Sequence, residues 1–137
     1  MFLLSDASRS DEPRGMGDPS STKVLLADRA GFGRTALAMV LADTRGVTIV
    51  AKVADPDLIE SAVQSTRPDV VVVDDRLLRN ERWTGRDGDA RVIVVGLDDD
   101  PGFAARALRI GAEAWVPKDC AGSLLPLLLT PLEPVSR

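Results

Sequence analysis

Five short apolar runs, rich in β-branched residues, recur from residue 24 onward and constrain the fold more than any other feature of the chain. They are residues 24–27, 47–53, 70–73, 92–95 and 114–116. Apolar residues in these runs are mostly continuous rather than alternating with polar ones, which is typical of strands buried on both faces of a parallel sheet. The stretches between them carry helical spacing of apolar residues. We therefore expect an α/β fold whose strands are joined by helical crossovers.

Four stretches between or after the strands are predicted helices. They are residues 35–42, a stripe formed by Leu58, Ile59, Ala62 and Val63, a segment through Ala105 and Leu108 that ends at Gly111, and residues 123–129, shortened by Pro126. Asp55-Pro56 and Asp100-Pro101 each place an acceptor before a proline at the first helical position, as helix starts favour. The run Asp98-Asp99-Asp100 is accordingly interpreted as a helix cap rather than a metal cluster.

The crossover between the third and fourth strands departs from this pattern. Residues 75–90 contain two glycines, many charges and no complete apolar stripe, so we predict a loop or a single turn in place of the third helix. Trp83 lies there among arginines and is either a lid over the uncovered sheet face or an exposed interface anchor. We favour the lid. An uncovered apolar face would also favour self-association or a dedicated partner.

Length and composition narrow the remaining choices. The 137 residues are 45% apolar, which suits a single domain. We predict a disordered tail over residues 1–22, a domain over residues 23–131 and a C-terminal tail over residues 132–137. The only apolar patch of the first tail is too short to cross a membrane.

Charge and missing residue types exclude several functions. The net charge of -4 lacks the basic footprint of nucleic-acid binding, so we expect no direct contact with nucleic acid. The chain has no His and no Tyr, which removes the commonest general base and zinc ligand. Cys120 is the single cysteine and suits a reducing compartment. We expect a cytoplasmic protein that is not an enzyme and does not bind membranes.

Chemically useful residues follow the predicted strands. In an open parallel sheet, ligands gather beyond the carboxyl ends of the strands. The residues at these positions are Asp28 and Arg29 after the first strand, Asp74 and Asp75 after the third, Gly96 after the fourth and Lys118 after the fifth. Carboxylates and a lysine are therefore expected to converge at one edge of the sheet.

This arrangement resembles the receiver domain of two-component response regulators, and the likeness spans residues 23–129. KVLLADRAGFGRTAL is similar to the first strand and acidic turn of the family, and RPDVVVVD to the strand that ends at the phospho-acceptor aspartate. RVIVVG and GAEAWVPKD resemble the fourth strand and the fifth with its lysine, closest to NarL/FixJ-type receivers. The resemblance implies a doubly wound sheet of flavodoxin-like order 2-1-3-4-5.

The resemblance also implies a role for each matching residue. Asp74 takes the phospho-acceptor position, Asp28 the first position of the acidic pair, Lys118 the phosphoryl-contact position and Trp115 the aromatic switch position. An aspartate accepts a phosphoryl group when a divalent cation and a lysine offset the accumulating negative charge. If Mg²⁺ binds at all, Asp28 and Asp74 are its expected ligands.

The chain departs from the family in three places. Arg29 replaces the second acid, Gly96 replaces the hydroxyl residue after the fourth strand, and the third helix is missing or reduced. We hypothesise that Arg29 acts as a built-in cation, paired with Asp74 or Asp28. The alternatives are that Arg29 points into solvent and that Gly96 only relieves crowding.

The sequence thus predicts an atypical receiver that signals through protein contacts, with phosphorylation weakened or absent and Mg²⁺ bound weakly if at all. We expect a homodimer, in which the leucines of the last helix belong to the face that the family uses. One alternative is a receiver still phosphorylated on Asp74 by a histidine kinase. Another is a small dinucleotide-binding protein, since residues 31–36 fit the pattern G-x-G-x-x-A and Asp55 follows the second strand.

Overall fold

The structure is a computed structural model, and it describes residues 21–29, 31–85 and 89–130. Nearly all of the two predicted tails lies outside these residues. The exception is the end of the first, because Thr22 already belongs to the first strand. Within the described ranges, no helix is long and apolar enough to cross a membrane.

The described residues form five strands and four α-helices, and a helix follows each strand except the third. The strands are β1 (Thr22–Ala27), β2 (Val47–Val53), β3 (Val70–Asp74), β4 (Arg91–Gly96) and β5 (Ala114–Pro117). The helices are α1 (Phe32–Ala42), α2 (Ile59–Thr66), α3 (Phe103–Arg109) and α4 (Ala121–Leu129), and short 3-10 turns occupy Pro56–Leu58, Asp75–Leu78 and Lys118–Cys120. All paired strands are parallel, in the order β2-β1-β3-β4-β5. The predicted fold class and strand order are confirmed.

Both faces of the sheet are buried, as the continuous apolar strands require. Along β3, Val70 and Val72 pack with α1 and α4 residues, whereas Val71 and Val73 pack with α2 and α3 residues. The predicted cap at Asp55 forms, because its carboxylate accepts a hydrogen bond from the backbone N–H of Asp57 at 2.9 Å at the start of the 3-10 turn before α2. Asp100 also accepts a hydrogen bond from the backbone N–H of Gly102 at 2.9 Å, but α3 begins two residues later than predicted, at Phe103, and its N-cap Gly102 makes no side-chain cap bond.

The crossover between β3 and β4 contains no α-helix among its described residues, only the 3-10 turn Asp75–Leu78. Leu77, Leu78 and Trp83 take the place of the missing helix and join the core cluster of that sheet face. Trp83 is only 4% exposed, which matches the lid interpretation. The expectation of a bare apolar face was wrong, because these three side chains cover it and Val71 and Val73 are buried. That face therefore offers no exposed apolar surface for self-association.

Candidate functional site at the carboxyl end of the sheet

Asp28 and Asp74 are brought together by the pairing of β1 with β3. Ala27 lies opposite Val73 in the parallel register, so the next residue of each strand projects at the same edge of the sheet. Both carboxylate side chains are fully buried. Two acids therefore share one water-poor site, as the sequence predicted.

Two cationic side chains occupy the carboxylate of Asp74. The Nζ of Lys118 lies 2.9 Å from Oδ2 of Asp74. Arg76 donates to Oδ1 from its backbone N at 2.7 Å and from its Nε at 3.1 Å, and to Oδ2 from its Nη2 at 3.0 Å. Each oxygen of Asp74 thus accepts two hydrogen bonds from positively charged residues, and charge-assisted bonds of this kind are the strong ones.

Arg76 also contacts the second acid. Its Nη2 lies 3.3 Å from Oδ1 of Asp28, so one guanidinium bridges the two carboxylates. The sequence hypothesis placed Arg29 in this role, and the structure corrects it. Arg29 is exposed, and its side chain pairs with neither Asp28 nor Asp74 in the described part of the chain. A built-in cation is present, but it comes from the residue two positions after Asp74.

The local backbone explains this choice. The carboxylate of Asp74 accepts the backbone N–H of the residue two positions later, which is the local bond by which Asp starts a turn. The 3-10 turn that follows folds the Arg76 side chain back over the acid. Sequence reasoning missed Arg76, although an arginine two residues after a strand-ending aspartate was a usable signal.

The two acids differ in their electrostatics. The pKa of Asp28 is raised to about 6, chiefly by burial, with smaller contributions from the hydrogen bond to Asp74 and the charge of Asp74 and against the opposing charge of Lys118. Oδ2 of Asp28 is buried and has no hydrogen-bond partner. Burial would also raise the pKa of Asp74, but the hydrogen bonds from Arg76 and Lys118 outweigh it and lower that pKa to about 2. Asp74 is therefore the ionised member of the pair, and Asp28 is the one that holds a proton more readily.

A second ion-pair network starts at Asp75. Nε and Nη2 of Arg106 each lie 2.7 Å from an oxygen of Asp75, which is only 2% exposed. Nη2 of Arg106 also lies 2.7 Å from Oδ2 of Asp100, which pairs with Arg79 at 2.6 Å. The hydrogen bonds that Arg106 donates to Asp75 and Asp100 raise its pKa. Asp75 was expected near the site, but its arginine partner was not.

The surroundings of Gly96 support the crowding interpretation. A Cβ atom placed on Gly96 would lie 2.9 Å from Cβ of Asp75 and 2.9 Å from the ring of Phe103. The space for a side chain at this position is therefore already filled. Trp115 lies on the edge strand β5 and is 40% exposed.

The residues at this edge do not fit Mg²⁺ as they stand. Mg²⁺ requires oxygen ligands in near-octahedral geometry, whereas the Arg76 guanidinium lies between the two carboxylates and brings a positive charge. At the position where the resemblance places the second acid of the pair, the chain has Arg29. No cluster of three or more acidic or cysteine side chains suited to a metal ion occurs among the described residues. We therefore derive no step through a metal.

The residues that suggested a dinucleotide site have other roles in the structure. Gly31 and Gly33 lie at the start of α1. Asp55, which that alternative needs as a ribose ligand, instead caps the turn before α2 and pairs with Arg82 at 3.3 Å. No described feature favours the dinucleotide alternative over the receiver.

The fold was compared with known proteins. No protein-family model and no curated protein sequence matches the chain. The signal receiver domain of NarL from Mycobacterium tuberculosis is similar in structure, with a TM-score of 0.68 and 19% identity over 80% of this chain and 94% of that domain. The response regulator domain of Thermotoga maritima CheB gives a TM-score of 0.67 and 17% identity over 83% of this chain and 99% of that one.

A third similar structure is a two-component response regulator of the LuxR family from Aurantimonas sp. SI85-9A1. Its TM-score is 0.62 at 25% identity, over 77% of this chain and 80% of that chain. These likenesses agree with the strand order. The described part of the chain therefore has the fold of a response-regulator receiver domain.

Proposed function

We propose that the chain is an atypical response-regulator receiver that signals through protein contacts, with phosphorylation of Asp74 weakened or absent. One observation carries this proposal. Both oxygens of the Asp74 carboxylate are occupied by Arg76 and Lys118, and the carboxylate itself is fully buried. The receiver fold supports the signalling role, and the occupied carboxylate supports the loss of phosphoryl transfer.

The chemistry of phosphoryl transfer explains why this occupation matters. An oxygen of Asp74 would have to form a bond to phosphorus while the bond from phosphorus to its leaving group breaks, with attacking and leaving groups in line. Here Oδ1 accepts two bonds from Arg76, and Oδ2 accepts one from Arg76 and one from Lys118. Arg76 would therefore have to leave before a donor could approach. Its displacement would also remove the cation that, among the described residues, bridges Asp74 to Asp28.

The test is incubation with acetyl phosphate and Mg²⁺, followed by intact mass measurement. We expect no phosphoryl adduct on the wild-type chain, and an adduct on Arg76→Met if the guanidinium is what blocks the carboxylate. Arg29→Met is the matched control, since it removes an exposed arginine at the neighbouring strand end and should behave like the wild type. Asp74→Asn checks that any adduct is on Asp74. A stoichiometric wild-type adduct would overturn the proposal.

The same experiment addresses a second candidate, a receiver still phosphorylated by a histidine kinase. The 2.9 Å contact between Lys118 and Asp74 favours it, because this lysine is positioned to contact a phosphoryl group on that carboxylate. A wild-type adduct would support this candidate. It would then require that Arg76 swing away during the reaction.

We further propose that the chain forms a homodimer through α4. This helix contains no charged residue, and its Leu124 and Leu127 are 37% and 73% exposed. A neutral apolar surface can pair with a second copy of itself without burying an unpaired charge. Sedimentation of the wild type should show a dimer, and Leu127→Glu should shift it to monomer. Leu108→Glu on α3, where Leu108 is 62% exposed, should leave the dimer intact; a wild-type monomer would contradict the proposal.

We propose that the chain acts in the cytoplasm and that its partners are proteins. The net charge of -4 supports action without direct binding to nucleic acid, and the exposed free thiol of Cys120 supports a reducing compartment. A labelled DNA duplex titrated with the chain at moderate salt should show no binding.

A further inference from the structure

The loop between β4 and α3, residues 97–102, is held to the turn after β3 by the ion pairs that start at Asp75. Arg106 of α3 meets Asp75 with two parallel bonds of 2.7 Å, and the same guanidinium reaches Asp100 within the loop. Arg79, from the segment after β3, also holds Asp100 at 2.6 Å. Arg106 is only 18% exposed and Asp75 only 2%. Paired charges that are shielded from water are difficult to separate.

Close packing closes the space into which this loop could move. The ring of Phe103, at the start of α3, is 4% exposed and lies against Gly96. A Cβ on Gly96 would lie 2.9 Å from that ring and 2.9 Å from Asp75. On the other side, a Cβ on Gly102 would overlap Nη1 of Arg106, the end of a side chain that is held here by Asp75 and Asp100. Glycines at these two positions let the ring and the guanidinium lie against the backbone.

We propose that these contacts form a clamp that holds the loop of residues 97–102 in one position whatever the chemical state of Asp74. The clamp consists of Asp75, Arg106, Asp100 and Phe103. The hydrogen bonds among its three charged residues, and the one from Gly102 to Asp100, involve neither Asp74 nor Arg76. The hydrogen bonds that hold the loop therefore do not run through the acceptor carboxylate, although Asp75 directly follows Asp74 in the chain. This inference goes beyond the proposed function, because it holds whether or not Asp74 can be phosphorylated.

Hydrogen exchange measured by mass spectrometry tests the clamp without any phosphorylation. Arg106→Met should raise amide exchange in residues 97–105 by about ten-fold, the effect of losing roughly one strong charge-assisted pair. Arg91→Met is the matched control, because Arg91 also meets a carboxylate, Glu113, through Nε and Nη2, but does so where β4 begins. It should leave exchange in residues 97–105 unchanged. Exchange in β2 serves as the reference for global stability in each variant.

Asp74→Asn supplies the decisive comparison, since it removes the acceptor charge at the residue next to Asp75. We expect it to leave exchange in residues 97–105 within about two-fold of the wild type. A rise as large as that of Arg106→Met, or no rise in Arg106→Met, would overturn the clamp. If Arg106→Met does not fold, Asp100→Asn replaces it with the same expectation. A phosphoryl adduct on the wild type would leave this result intact and would count only against the proposed function.

Discussion

Replacing Asp28 by Asn should make the protein more stable at neutral pH, by an amount that depends on pH. Asp28 is fully buried, its Oδ2 has no hydrogen-bond partner, and its Oδ1 lies 3.3 Å from Nη2 of Arg76. Its pKa is raised from 3.8 to about 6, chiefly by burial. The protonated acid is therefore favoured by folding. The contribution of Asp28 is fully present below its unfolded pKa and is lost as the pH rises through its folded pKa.

The magnitude follows from these two pKa values. Each pKa unit corresponds to about 1.4 kcal/mol between the two protonation states, so full ionisation of Asp28 costs about 3 kcal/mol of folding free energy. Between about pH 4 and about pH 7.5 roughly 2 kcal/mol of this is lost. Asn at this position does not ionise. The stability of Asp28→Asn relative to the wild type should therefore rise by about 2 kcal/mol over that range.

Urea unfolding followed by tryptophan fluorescence measures this difference, because buried Trp83 becomes exposed on unfolding. Both proteins are compared at each pH, so that the titration of other carboxylates largely cancels. Asp98→Asn, at an exposed acid, is the control and should differ from the wild type by a nearly constant amount. A difference between Asp28→Asn and the wild type that stays constant within about 0.5 kcal/mol would refute the reasoning.

Three further substitutions probe other parts of the structure, and urea unfolding measures each. Gly96→Thr should destabilise the fold by about 1–3 kcal/mol, because its side chain would overlap Phe103; unchanged stability would contradict the crowding. Trp83→Ala should cost about 3–5 kcal/mol if Trp83 covers the sheet, and a loss below about 1 kcal/mol would argue against the lid. Arg76→Met should destabilise more than Lys118→Met, because Arg76 contacts both acids. The reverse order would contradict the bridging role of Arg76.

Most of the fold could be predicted because it rests on repeated local patterns. The five apolar runs match the five strands to within one or two residues at their ends, since continuous burial on both faces leaves little freedom in where such strands lie. The lack of a helix between β3 and β4 could also be predicted, because residues 75–90 carry no complete apolar stripe. The side chains that cover the sheet there could be predicted only in part. The interpretation of Trp83 as a lid agrees with the structure, but the contribution of Leu77 and Leu78 depends on how the 3-10 turn directs them.

The site was predictable as a set of positions but not as a set of contacts. Asp28, Asp74 and Lys118 converge because parallel strands end at one edge of the sheet. Which arginine reaches the acids depends on the turn after each strand. Arg29 directly follows Asp28 and lies in solvent, whereas Arg76 is folded back by the backbone bond that Asp74 accepts.

Sequence alone predicted a five-stranded parallel sheet with two acids and a lysine at one edge, and no α-helix in the crossover after the third strand, where the described residues contain none. The order of apolar residues determines which segments are buried as strands, and the ends of those strands determine where the two acids and the lysine lie. Only the tertiary structure decided that Arg76 neutralises the acids and that Phe103 and Arg106 fill the space beside Gly96. Side-chain charges are paired by distances of a few ångströms across separate segments, and such distances exist only once the chain has folded.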